Sequence, residues 1–163
     1  DDVFVADDML VGGEGDGWAM VTSELAFERS GPDRFMSTFP LLVETIRAAG
    51  PEPSAHTAAE LGRLVAHLAT LRRMSSSIAG MLNAGKSPAT EAALVKELGT
   101  TFEQGIPEIA RRLIPLEGRP ADANADAYAE LQQLSQLQAP SYSLRGGTRE
   151  ILKGMIARGL GLR

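Results

Sequence analysis

Apolar residues recur at intervals of three and four positions along most of this chain, which is the period of one face of an α-helix. The longest segment of this kind predicts a helix from about His56 to Asn83. Such a helix buries its apolar face against the rest of a domain. The apolar positions of the segment are Leu61, Leu64, Val65, Leu68, Leu71, Ile78, Met81 and Leu82.

Two helices are predicted before this long segment. The first runs from residue 17 to about residue 30, with Asp16 as its N-cap. The second runs from about residue 32 to residue 49. Pro40 lies inside the second helical pattern and predicts a kink there, because proline removes a helical hydrogen bond.

Three helices are predicted after the long segment. The first of them opens with Ser87 as N-cap and Pro88 at the first helical position. A disturbance is expected at residues 105–107, where glycine and proline occur close together. The last two helices cover about residues 122–138 and 148–158.

The beginning of the chain has a different pattern. Val3–Val5 is a short apolar run that predicts one strand, followed by a glycine-rich connector at residues 12–17. A single strand cannot pair its own backbone, so it implies a sheet that this chain does not encode. Trp18 is expected to pack in the core or at a domain interface.

These elements predict an all-α fold. Long periodic helices joined by short turns are typical of an up-and-down, four-helix-bundle-like domain, here with a short N-terminal strand stub. The chain contains no internal repeat. Its 163 residues are enough for one domain with a substantial core.

Composition narrows the function classes. The net charge of −5 argues against a surface for nucleic acid or anionic membranes, and no apolar run reaches the length of a membrane span. The chain has no cysteine, which excludes disulfides and thiolate chemistry. His56 and His67 are expected to be surface or half-buried residues rather than metal ligands. We expect a cytoplasmic location and, because residue 1 is Asp, a chain that is trimmed, cleaved or only part of a gene product.

Two distant motifs resemble one enzyme family. Residues 145–151 read RGGTREI and residues 156–162 read IARGLGL, while residues 15–18 read GDGW and residues 25–29 read LAFER. Together, in this order and at this separation, they resemble the C-terminal helical domain of acyl-CoA dehydrogenases. The resemblance implies that residues 1–15 are the end of a middle β domain with its connector, and that residues 16–163 are the C-terminal helical domain.

The resemblance also implies an activity and a cofactor. These FAD enzymes desaturate acyl-CoA thioesters by removing an α proton and transferring a hydride to the flavin. Most members carry the catalytic base directly before the Gly-Thr of the terminal motif, where this chain has Gly146. Isovaleryl- and long-chain-type members carry it directly before an arginine on the first helix, which corresponds to Glu28 before Arg29.

The resemblance therefore assigns roles to single residues. It implies that Glu28 is the base, that Arg29 positions it, and that the backbone N–H of Gly146 donates to the thioester oxygen. It further implies that Gly147, Thr148 and Glu150 approach FAD. Without the resemblance, the pattern of Glu28 and Arg29 in an amphipathic helix indicates a solvated or salt-bridged surface pair.

The same terminal residues also fit an ordinary helix start. Thr148 suits the N-cap position, and the carboxylate of Glu150 suits the first turn of the last helix. This capping interpretation is compatible with a cofactor role.

Two departures from the family pattern leave alternatives open. Residues 51–57 lack an arginine followed by Phe-Gly, and residues 115–120 lack the Gln and paired-glycine motif, which in the family reach a neighbouring subunit's flavin. The alternatives are a non-catalytic scaffold subunit of a heteromeric dehydrogenase, a flavin-dependent oxygenase on the same fold, and a stand-alone helical binding module. The expected partners are an acyl-CoA substrate and the missing N-terminal helical and β domains, in a homo- or hetero-oligomer.

Overall fold

The computed structural model describes residues 2–117 and 123–162, and within them the fold is all-α and bundle-like, as the sequence predicts. Short 3-10 helices lie at Asp7–Met9, Pro32–Arg34 and Ala139–Leu144. The α-helices are α1 at Gly17–Ser30, α2 at Phe39–Ala49, α3 at Ala55–Asn83, α4 at Ala89–Leu113, α5 at Ala123–Gln138 and α6 at Arg149–Gly159.

Helix α4 lies at the centre of the domain and contacts each of the other five helices that the structure describes. Its buried positions recur every three or four residues, so the face that they form is covered from several sides. These positions include Ala92, Val95, Phe102, Ile106 and Ala110. The facing core residues are Phe35, Leu41, Leu42, Leu61, Leu64, Leu68, Leu71 and Ile78.

The predicted bounds of α1, α3 and the described part of α5 agree with the structure to within one residue. The second predicted helix, from about residue 32 to residue 49 with a kink at Pro40, was wrong in its first half. The chain forms a separate 3-10 turn at Pro32–Arg34, and α2 begins only at Phe39. Pro40 therefore lies in the first turn of α2, where a missing N–H leaves no helical bond unmade. Residue 122, the expected start of α5, lies outside the described residues.

Helix α4 differs from its prediction both in its N-cap and at the expected disturbance at residues 105–107. It begins at Ala89 with Pro88 as the N-cap residue, and the side chain of Ser87 makes no capping hydrogen bond, although its carbonyl accepts one from the N–H of Ala89 at 3.0 Å. The helix then runs without interruption past Pro107 to Leu113. Pro107 is fully packed, and its carbonyl accepts a hydrogen bond from Gln132 of α5 at 2.8 Å, which helps to hold this turn in place.

The strand expected at Val3–Val5 is not formed, and the described residues contain no strand. The physical reason is the one that the sequence suggests, since no second strand is present to pair with it. The side chains of Val3, Phe4 and Val5 are exposed, and Trp18 is 80% exposed, so Trp18 does not pack in this core. The N-terminal segment therefore presents a row of uncovered apolar side chains.

Within residues 2–117 and 123–162, no helix combines the length and the apolar character that crossing a bilayer requires. His56 is exposed, whereas His67 is half-buried with its ring edge-to-face against Phe102, at 5.0 Å between centroids. Burial lowers the pKa of His67, which favours the neutral ring in this contact.

Gly99 allows α4 to lie directly against the turn that follows α1. A Cβ at this position would collide with the carbonyl oxygen of Arg34 and would meet the Cβ of Phe35 at 3.2 Å. The absence of a side chain at residue 99 thus sets how closely the Pro32–Arg34 turn approaches the central helix.

We expect Gly99→Ala to lower the free energy of unfolding by about 1–3 kcal/mol, because the new methyl group overpacks this contact. Gly105→Ala is the matched control on the same helix, since a Cβ there meets no atom within 4 Å. It should raise the stability by up to about 1 kcal/mol through helix propensity. Urea unfolding of both variants tests the pair, and equal effects would contradict the close contact.

Candidate functional site

Two segments that are far apart in sequence meet at the C-terminal end of α1. Gly146, in the loop before α6, accepts a hydrogen bond on its carbonyl oxygen from Nε of Arg29 at 2.8 Å, across 117 residues of sequence. A Cβ on Gly146 would lie 3.3 Å from Oε1 of Glu28 and 3.4 Å from Cγ of Arg29. The structure therefore brings Glu28, Arg29 and Gly146 together.

The backbone of Gly146 suits this close approach. Its φ is +67°, a left-handed conformation that glycine adopts without the steric cost of a Cβ. Among the described residues, no acceptor lies within hydrogen-bond distance of its N–H. Gly146 thus combines a carbonyl fixed by Arg29 with an N–H that is available to a ligand.

Glu28 is held by an arginine that the sequence analysis did not single out. Nη2 of Arg34 donates to Oε1 of Glu28 at 2.8 Å, and Nε of Arg34 donates to the backbone carbonyl of Glu28 at 2.8 Å. The Glu28 side chain remains 33% exposed. The signal for this contact is the Gly-Pro break at residues 31–32, which turns the chain back so that Arg34 lies beside the last turn of α1.

Arg29 is a buried cation, with 6% of its surface exposed. Besides Gly146 its guanidinium contacts the sulfur of Met155, 3.5 Å from Nη1, and no carboxylate forms an ion pair with it among the described residues. Burial lowers the pKa of Arg29, and the charge of Glu28 opposes this shift. Arg29 therefore holds the terminal loop, the segment that carries Gly146 before α6, although it has no carboxylate partner among the described residues.

The loop that carries Gly146 is fixed to α4 by an ion pair whose carboxylate is buried. Glu103 has no exposed surface, and its Oε2 lies 2.6 Å from Nη2 of Arg145. Its Oε1 accepts a hydrogen bond from the backbone N–H of Ser37 at 2.7 Å, and Arg145 also donates to the carbonyl of Asp33 and the hydroxyl of Ser37. One carboxylate thus joins α4, the segment after α1 and the terminal loop.

A second buried charge of α4 supports the 3-10 helix Ala139–Leu144, which precedes this loop. Nζ of Lys96 donates to the carbonyl of Tyr142 at 3.0 Å and to the hydroxyl of Thr100 at 2.6 Å. Burial, together with the positive charges of Arg145 and Arg34, lowers the pKa of Lys96 to about 8. On the other side of the loop, Arg149 makes a bidentate contact with Glu97 at 2.6–3.0 Å.

The three residues expected near a cofactor lie at the start of α6. Gly147 has a φ of +104°, and a Cβ on it would lie 3.6 Å from Nη2 of Arg29, so it borders the Glu28 site. Thr148 is the N-cap residue of α6, although its side chain makes no capping bond to the helix. Glu150 is exposed, and hydrogen bonds from its own backbone N–H and from the Thr148 side chain lower its pKa.

Comparison of the chain with models of known protein families found no match, and comparison with curated protein sequences found none either. The geometry around Glu28 and Gly146, and the resemblance of the two motifs that carry them, are therefore the grounds on which a function is proposed.

We expect Gly146→Ala to destabilise the protein more than Gly85→Ala does. Both glycines have a φ near +70°, so both variants suffer the left-handed backbone penalty of about 1–2 kcal/mol. A Cβ at Gly85 meets no atom within 4 Å, whereas one at Gly146 lies 3.3 Å from Oε1 of Glu28 and 3.4 Å from Cγ of Arg29, so these side chains must shift slightly. Urea unfolding measures the difference, and equal losses would show that the contact at Gly146 is not made.

Lys96 predicts a pH dependence of stability. Its pKa is lower in the folded chain than its ordinary value, so above about pH 8 the folded protein releases a proton that the unfolded chain keeps. The free energy of unfolding should therefore rise by roughly 2 kcal/mol between about pH 7.5 and 9.5 through this group. Over this range Tyr142 stays protonated, because burial raises its pKa.

Lys96→Met should remove this rise, and Lys153→Met, a change at an exposed lysine of α6, should leave it in place. Chemical unfolding at the two pH values measures both variants against the parent protein. Parallel pH profiles for the parent and Lys96→Met would contradict the assignment.

Proposed function

We propose that this chain is the C-terminal helical domain of an FAD-dependent acyl-CoA dehydrogenase that desaturates an acyl-CoA thioester between its α and β carbons. The observation that carries the proposal is the approach of Glu28 to Gly146. The family resemblance assigns the base and the thioester donor to these two residues, and such roles require them to lie side by side.

In the proposed reaction the carboxylate of Glu28 takes the proton from the carbon α to the thioester. Negative charge then develops on the thioester oxygen, and the N–H of Gly146 is free to donate a hydrogen bond to it. Arg34 holds one oxygen of Glu28 and Arg29 holds the carbonyl of Gly146, so both groups are positioned before the substrate binds.

FAD, when bound, would supply the acceptor for the hydride that leaves the β carbon. Gly147, Thr148 and Glu150 are the residues proposed to hold it. The local backbone fits this role, because Gly147 presents no side chain and Thr148 offers a half-buried hydroxyl beside it. The carboxylate of Glu150 is exposed at the start of α6.

The proposal also requires the other domains of such an enzyme, supplied by the same polypeptide or by a second one in a homo- or hetero-oligomer. The exposed apolar side chains of Val3, Phe4, Val5 and Trp18 support this part, because large apolar residues that their own domain leaves uncovered are common at interfaces. A cytoplasmic location is part of the same proposal.

A non-catalytic scaffold subunit of such a dehydrogenase is the second candidate. The ion pair between Glu28 and Arg34 favours it, because that pair already occupies one oxygen of the proposed base. In a scaffold subunit this contact would serve only to fix the end of α1 to the turn that follows it.

Glu28→Gln in the assembled enzyme separates the two candidates. If Glu28 is the base, anaerobic reduction of the flavin by acyl-CoA should slow by about 100-fold or more, because proton abstraction is lost. Glu24→Gln is the matched control, because Glu24 is an exposed carboxylate one turn earlier on α1. In this variant the flavin should be reduced at the rate of the parent enzyme. If the flavin of Glu28→Gln is reduced at a near-normal rate, Glu28 is not the base and the scaffold candidate is favoured.

A further inference from the structure

A groove of about 410 Å³ lies on the side of α1 that does not carry Glu28. It is bounded by α1, by the turn between α3 and α4, by the first residue of α4 and by Met155 of α6. This volume is within the range of small-molecule sites. Glu28 does not line the groove, whereas Arg29 does.

Arg29 gives the groove an incompletely satisfied positive charge. The residue is more than nine-tenths buried, and among the described residues its Nη1 meets only the sulfur of Met155, a weak acceptor that also lines the groove. A buried guanidinium normally gains stability from an anion that takes up its remaining donors. No such anion is provided by the residues that line the groove.

Two further features make the same groove electropositive. Lys86 contributes an exposed ammonium group from the α3–α4 turn. Ser87 and Ala89 place the beginning of α4 at the groove, and no side chain caps the first-turn N–H groups of this 25-residue helix. The helix dipole adds partial positive charge there. No Asp or Glu lines the groove to offset these charges.

The rest of the lining is largely apolar, with Leu25, Ala26, Phe27, Leu82 and Met155 around the cationic residues. An inorganic anion would leave this apolar surface in contact with water, and a purely apolar ligand would leave Arg29 unpaired. The combination fits an anion that carries a hydrocarbon tail.

We propose that this groove binds an aliphatic carboxylate, with its head group held by Arg29 and Lys86 and its tail packed against Leu25, Phe27 and Leu82. The site is separate from the Glu28 carboxylate and does not depend on the dehydrogenase proposal. Glu28→Gln should therefore not weaken binding, so that failure of one proposal is distinguishable from failure of the other.

Decanoate is a suitable probe, and methyl NMR of methionine-labelled protein is a suitable measurement. Titration should shift the Met155 methyl signal saturably. Met74 and Met81 line a separate, largely apolar pocket and report non-specific binding, so their signals should not shift. Decyltrimethylammonium, with the same tail and the opposite charge, should bind at least tenfold more weakly than decanoate.

Lys86→Gln should weaken decanoate binding about fivefold through loss of one favourable charge, and Lys153→Gln, an exposed change away from the groove, should leave it unchanged. The proposal is overturned if Met155 does not respond to decanoate. It is also overturned if both amphiphiles bind equally well, or if Lys86→Gln binds as tightly as the parent protein.

Discussion

The buried carboxylate of Glu103 is the constraint on which the arrangement of this domain depends. It has no exposed surface, and it binds Arg145 of the terminal loop and the backbone of Ser37 at the same time. Removing a charged group from water is costly, so such a carboxylate is stable only while these partners stay in place. The consequence is that the end of the chain and the segment after α1 are both held against the central helix α4.

This constraint determines what lies on the two sides of α1. Because the terminal loop is fixed, the carbonyl of Gly146 contacts Arg29. Arg29 therefore lies between the Glu28 site and the groove on the other side of α1. On one side Glu28, Arg34 and Gly146 form the polar cluster at which we propose proton abstraction. On the other side the same guanidinium faces an apolar groove that offers positive charge to an anion. One buried arginine thus links a structural contact to both proposals.

The helices could be predicted from the sequence because each depends on the local spacing of apolar residues, as in α1 and α3. The predictions at Pro40, Ser87 and Pro107 were wrong because local signals alone did not determine where a helix begins or whether it continues past a proline. The meeting of Glu28 with Gly146 was predicted from the resemblance of the two motifs. The contact of Arg34 with Glu28 has a local signal, the Gly-Pro break at residues 31–32, but not one that identifies the partner. The contacts of Glu103 and the groove could not be predicted, since their partners are distant in sequence and no spacing rule joins them.

A double-mutant cycle between Glu103 and Arg145, with each residue changed to Gln, tests the central claim most directly. The measurement is the free energy of unfolding of the parent protein, the two single variants and the double variant. Each single change leaves a partner unpaired, so we predict a coupling energy of about 1–3 kcal/mol. Additive effects of the two changes would contradict the claim that this ion pair holds the terminal loop against α4.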